Sequence, residues 1–133
     1  MAITRTEALY TVRVISITMN IEEYRDYCLS LGSDVEEKMP FGAFCYASAV
    51  LAFYVNGHMF SFFDTNNFGV VTLKCRPEQI EELKERYSEI GKPYNLSPKH
   101  WIGVDARRAS ACLLQKLTYE SYEIVKAKYS KKK

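Results

Sequence analysis

Asn56-Gly57 stands between two runs rich in aromatic and β-branched residues, Val50–Val55 and His58–Asp64. Both residues of this dipeptide tolerate positive φ, which a two-residue type I′ turn demands, so the segment carries a strong hairpin signal. Thr65-Asn66-Asn67 reads as a second turn, and residues 68–74 as a third strand containing Val70, Val71, Thr72 and Leu73. Strands joined by turns this short must run antiparallel, which excludes the parallel sheet of a βαβ protein. Whatever else the chain does, it folds around an antiparallel meander.

The flanking segments supply helices. Asn20 can cap a helix, and Glu23 three residues later completes a capping box. Ile21, Tyr24, Cys28 and Leu31 follow at spacings of three and four and mark one apolar face, which predicts a helix over 21–31 ended by Gly32 in a left-handed cap. Residues 33–42 read as a loop ending at Pro40-Phe41-Gly42. Pro77 suits the first position of a second helix, with Ile80, Leu83 and Tyr87 along its inner edge and Gly91 beyond its end. Residues 91–100 read as a polar loop and 101–105 as one more strand. From about Ala109 a third helix begins, with Lys126 and Lys128 near its C-terminus, where the helix dipole favours cations. Residues 1–19 form an N-terminal extension, where the alternation of Tyr10, Val12 and Val14 allows an extra strand. The main domain is expected over 20–133. The fold class is α+β, in the order α-β-β-β-α-β-α: an antiparallel sheet of about four to five strands with helices packed on one face.

A chain of 133 residues, 47% hydrophobic and 26% charged, is of ordinary single-domain size and composition. Its net charge of +2 excludes a histone-like binder but conceals an asymmetry. Residues 1–66 hold four Lys or Arg against eight Asp or Glu, a net of −4, while residues 67–133 hold fourteen against eight, a net of +6. Such a split points to an anionic partner for the basic half. It is also what two solvated helix faces would give. Cys28, Cys45, Cys75 and Cys112 form no C-x-x-C pair, so zinc-ribbon and thioredoxin motifs are absent, and each sits in an apolar neighbourhood like a small buried hydrophobe. No apolar run reaches the ~18 residues of a membrane span, and the N-terminus lacks a signal-peptide core. The expectation is a cytoplasmic protein with reduced thiols and no membrane association.

The chemistry-bearing residues favour binding over catalysis. His58 and His100 are the two histidines, and neither belongs to a nucleophile elbow or an H-E-x-x-H motif. The glycines are scattered and make no phosphate-cradling loop. A Cys75–His100 thiolate pair rests on residue type alone. No enzyme activity, cofactor or metal is expected, although Glu22, Glu23, Asp26, Asp34, Glu36 and Glu37 could hold a hard cation weakly. Lys74, Arg76, Lys92, Lys99, His100, Trp101, Arg107 and Arg108 lie at strand ends and in loops, where binding groups usually sit. The cations can pair with phosphates, and His100 or Trp101 can stack on a base. These eight are the candidate nucleic-acid-binding residues, with Trp101 as core and the cations as ordinary surface the competing reading.

Several segments, taken together in order, resemble the MmcQ/YjbR family of small bacterial proteins. They are residues 23–31 (Glu-Tyr-Arg-Asp-Tyr-Cys-Leu-Ser-Leu), Pro40-Phe41-Gly42, Gly57-His58-Met59-Phe60, residues 73–78 (Leu-Lys-Cys-Arg-Pro-Glu), Lys99-His100-Trp101 and Ser121-Tyr122. The resemblance implies a double-wing, frataxin-like (CyaY-like) fold and DNA binding, the latter by analogy of fold alone. The family's recognisable polar positions fall on Lys74, His100 and Trp101. Three departures stand out: no proline between Leu31 and Gly32, His58 where a lysine is typical, and the additional residues 1–19. The expected partner is DNA. The alternative is a protein- or ligand-interaction module centred on Tyr94 and Trp101, with frataxin-like metal binding a weaker option.

Overall fold

The computed structural model describes residues 18–40, 49–94 and 96–130. The strand expected within 1–19 lies outside that span. Helices α1 (Ile21–Ser30), α2 (Pro77–Arg86) and α3 (Ala111–Lys128) accompany six strands: β1 (Glu36–Lys38), β2 (Val50–Val55), β3 (His58–Asp64), β4 (Val70–Lys74), β5 (Ile90–Gly91) and β6 (Trp101–Asp105). The fold is α+β. The strands form one sheet in the order β1-β2-β3-β4-β6-β5, with every neighbouring pair antiparallel.

The hairpin turn adopts the expected geometry, with φ of 53° at Asn56 and 82° at Gly57. The sheet is one strand wider than the upper expectation. The additional pieces are three-residue β1, inside a stretch that reads as loop, and two-residue β5. Both sit at sheet edges, where pairing on one side alone is enough to hold a strand too short to show periodicity. Their brevity and the charges of β1 also blunt the sheet's edges.

The Asn20 capping box forms as expected. Helix α1 instead ends at Leu31 in the right-handed region, and Gly32 is not in a left-handed conformation. Gly32 is needed for a different reason: a Cβ there would overlap the Asp34 carboxylate and lie 2.6 Å from Tyr122 Oη.

Alternation along the strands sorts the sheet into two faces. Phe53, Val55, Phe63, Val71, Leu73, Ile102 and Val104 turn toward the helices and meet Tyr24, Cys28, Ile80, Leu114, Leu117 and Val125 in the main core. On the other face Val50, Ala52 and Phe62 form a smaller cluster, with Tyr54, Met59 and Leu96 packed against it. The alternation breaks once. Phe53 pairs with Ser61 but Tyr54 with Met59, so Phe60 is an extra, bulged residue. The bulge lets Phe60 and Ser61 both face the helices. Phe60 meets the Tyr122 ring edge-on at 5.4 Å, while Ser61 Oγ lies 2.7 Å from the buried Tyr24 hydroxyl. Thr118 Oγ1 of α3 stands 2.8 Å from the same hydroxyl, so one polar knot ties α1, β3 and α3 together inside the core.

Candidate nucleic-acid interface

The bulge that fits Phe60 into the core also interrupts the ladder between β3 and β4, whose last register pair is Ser61 with Leu73. The next rung is supplied by α3. The Ser121 hydroxyl donates to the Phe60 carbonyl at 2.5 Å and accepts from the Lys74 N–H at 2.8 Å. Ser121 is fully buried, so this bridge satisfies two backbone groups that would otherwise be stranded. On the other side of β4, Lys74 pairs with Trp101, and the Cys75 N–H donates to the His100 carbonyl at 2.9 Å. The backbone of Lys74 is therefore held from both flanks. Its side chain points away from the helices, and Nζ lies 5.1 Å from the centre of the half-buried Trp101 ring. Partial burial, and then repulsion from the Lys128 ammonium, hold the Lys74 pKa below the usual lysine value.

Further groups lie at this end of the sheet. The turn before β6 presents Lys99 and His100, and Arg76 precedes the first residue of α2. The C-terminus of α3 arrives beside the hairpin tip, where Asn56 Nδ2 donates to the Lys126 carbonyl at 3.0 Å and His58 stacks on Tyr129 at 3.4 Å. Lys128 belongs to this end too. Sequence alone assigns Lys128 only to the helix dipole, and nothing in local spacing signals its approach to Lys74. Among the described residues, Lys74, Arg76, Lys99 and Lys128 have no carboxylate oxygen within 4.0 Å. A like-charged cluster of this kind is relieved when an anion joins it.

The remaining candidates lie elsewhere. Arg107 and Arg108 follow the far end of β6, roughly 13 Å of strand away at about 3.3 Å per residue. Both are committed locally. Arg108 Nε donates to Asp105 Oδ2 at 3.0 Å and its Nη2 to the Ser88 carbonyl at 3.0 Å, while Arg107 Nε lies 3.7 Å from Asp105 Oδ1. Partial burial works to raise the Asp105 pKa, but the bonds from Arg108 and the Arg107 N–H, with both charges, outweigh it and hold the carboxyl below its usual range. Lys92 sits between the two ends, in the loop that crosses the sheet. That loop rests on the face turned away from the helices: the Tyr94 N–H donates to Thr72 Oγ1 at 3.3 Å, and Leu96 packs on the smaller cluster. Beneath Tyr94 is a hollow of about 190 Å³ lined by Val50, Phe62, Asp64, Asn67 and Val70.

The acidic candidates are dispersed. Glu23 is used in the capping box, Glu37 pairs with Arg25, and Asp34 accepts from Tyr122 Oη at 2.8 Å and pairs with Lys126 at 3.3 Å. Among the described residues no three His, Cys, Asp or Glu side chains gather as a metal site. Cys28 and Cys75 are buried free thiols, whereas Cys112, expected to be buried, is exposed on the first turn of α3. Burial pushes the Cys75 thiol up to about 11, so it is not a thiolate nucleophile at neutral pH, and its link to His100 is through backbone. Among the described residues, no helix is long and apolar enough to cross a membrane.

A family model described as YjbR matches residues 31–124. The chain is similar to Deinococcus radiodurans protein DR2400, whose crystal structure is described as carrying the domain DUF419, at 28% identity over 86% of this chain and 84% of that one, with a TM-score of 0.76. It also shares its fold with a protein from Pseudomonas syringae at 20% identity, over 80% of this chain and 99% of that one, with a TM-score of 0.66. No curated protein matches it.

Proposed function

Since this chain belongs to the YjbR family, whose fold it shares, we propose that it is a cytoplasmic protein that binds DNA through phosphate contacts at the Lys74–Trp101 end of the sheet and carries out no catalysis. The observation behind this reading is the gathering of Lys74, Arg76, Lys99 and Lys128 at one sheet end, without carboxylate partners among the described residues. Phosphates would relieve the repulsion between Lys74 and Lys128 and give Arg76 and Lys99 an anionic partner. His100 and Trp101 add surface for contact between them. The buried free thiols fit a reducing compartment.

The test is fluorescence anisotropy of labelled DNA across a salt series. Engagement of these four cations gives a log–log slope of about −3.6 on duplex, or about a 10²-fold loss of affinity between 50 and 200 mM salt. Absence of binding at ~50 mM salt, where such contacts are strong, refutes the reading.

The hollow beneath Tyr94 supports a second reading, a module that takes a small ligand or peptide side chain on the far half of the same sheet face. Binding there would persist at high salt and be lost in Tyr94→Ala, while Lys74→Gln would leave it unchanged.

A further inference from the structure

The face that carries Lys74 and Trp101 carries a second pair of the same kind. Lys38 of β1 lies over the Tyr54 ring of β2, with Nζ 4.8 Å from its centre. Register places both pairs on the face turned away from the helices: Lys38 is opposite Ala52, Glu36 is opposite Tyr54, and Ala52 belongs to the outer cluster. Met59 stands between the two rings, opposite Tyr54. Three strand spacings separate β2 from β6, so the platforms lie about 14 Å apart across the sheet. In each pair an ammonium occupies the ring face that a base would occupy. Such cation–π contacts are weak at exposed sites, and among the described residues the one carboxylate paired with Lys38 is that of Glu36, at 3.6 Å and exposed.

We infer that the nucleic acid taken by this face is single-stranded, its unpaired bases stacking on Trp101 and Tyr54 while Lys74, Lys38 and Lys99 engage the intervening phosphates. This rests on the nucleic-acid reading above and deepens it. Stacking needs a base whose flat face is free, which a duplex denies except at its ends. A sheet face with aromatic platforms and adjacent cations meets that need irrespective of sequence, because every base has a π face. Each incoming base displaces an ammonium from its ring, and the adjoining phosphate receives that ammonium. Two spaced rings on one rigid sheet also favour a strand that can extend over one held as a helix.

Trp101 is the only tryptophan, so its emission reports stacking directly. Full-length protein is titrated with an oligothymidylate of about 15 nucleotides, within the site sizes of single-strand binders, and with a hairpin-free duplex of equal length at the same salt. The expected result is quenching by the single strand, tighter binding of it than of duplex, and about a tenfold loss of single-strand affinity in Trp101→Ala or Tyr54→Ala. Trp101→Phe keeps a ring and most of the affinity, which covers the case in which Trp101→Ala fails to fold. Duplex bound as tightly as single strand, with Trp101 emission unchanged, overturns this inference and leaves the phosphate-contact reading standing. Failure to bind either probe at ~50 mM salt overturns both.

Discussion

Gly91 and Gly103 face one another across β5 and β6, yet a methyl group should have opposite consequences at the two positions. A Cβ on Gly103 would overlap the Lys92 carbonyl oxygen and come within 2.9 Å of Val70 Cγ1, whereas a Cβ on Gly91 meets nothing within 4 Å. The Lys92 carbonyl is backbone and cannot rotate aside, so Gly103→Ala must push the chain leaving β5 off the sheet. Overpacking of this kind costs typically 1–3 kcal/mol. The displacement also strains nearby hydrogen bonds, the Asp105 N–H to the Glu89 carbonyl at 2.8 Å and the Tyr94 N–H to Thr72 Oγ1. Each such bond contributes about 1 kcal/mol net. The expected loss is therefore about 2–4 kcal/mol for Gly103→Ala. Gly91→Ala should be neutral or up to about 1 kcal/mol stabilising, because it removes backbone freedom from the unfolded chain alone. Neither glycine has positive φ, so conformational strain does not confuse the comparison. Urea unfolding followed by circular dichroism, with m-values checked for constancy, measures both variants. If Gly103→Ala falls within about 1 kcal/mol of the parent, or the two alanines cost the same, the close approach of this loop to the sheet is refuted.

Ser121→Ala should cost about 1–3 kcal/mol, because it strands the Phe60 carbonyl and the Lys74 N–H. It should also weaken DNA binding although Ser121 is fully buried, and Ser121→Thr, which restores the hydroxyl, should recover part of both in urea unfolding and anisotropy assays. Lys74→Gln and Lys99→Gln should each flatten the salt slope by about 0.9 on duplex, while Arg107→Gln, whose parent arginine already neighbours Asp105, should change it less; an equal effect of all three would disprove the division of the sheet into two ends. The carboxyls of Asp34, held down first by the Tyr122 hydroxyl, of Glu37, by Arg25, and of Asp105, by the two arginines, all titrate below their usual range. Groups with depressed folded pKa stabilise above the unfolded value near 4 and lose that stabilisation as pH falls through the folded values. Melting temperature should therefore hold down to about pH 4 and decline below it, in small increments because these pairs are largely exposed; a flat profile from pH 5 to 3 would count against the pairings.

Most of the fold was legible because its signals are local. Asn56-Gly57 fixes a turn through two φ angles, Asn20 and Glu23 cap a helix through three intervening residues, and Pro77 begins a helix by what its ring permits. Strands β2, β3 and β6 fall at the residues that pattern predicts. What pattern missed is not local. β1 is a strand because β2 offers it a free edge, and its sequence Glu-Glu-Lys carries no period. Gly32 looks like a helix terminator in sequence, but it is required by a tyrosine ninety residues away that reaches back to Asp34.

The same distinction governs the site. Summing charge over the two halves of the chain correctly marked the second half as basic, yet counted Arg107 and Arg108 with Lys74 and Lys99 as equal contributors. Their local pairing differs. Asp105 and Ser88 occupy the first two, whereas β4, β6 and the end of α3 converge to leave Lys74, Lys99 and Lys128 without described carboxylate partners. Tyr54 and Lys38 escaped notice because they lie in the acidic half, 20 and 36 residues upstream of Lys74, and only the register of β1 on β2 puts them on the same face as Trp101. An anionic ligand meets the field at a surface point, which depends on which cations remain unneutralised there and not on their sum along the chain. On the proposed reading, the charge that an anionic ligand meets is thus the one left over at a sheet end after local pairing, and a serine hydroxyl from a helix, bridging a bulge in the sheet, sets the backbone position of the lysine at its centre.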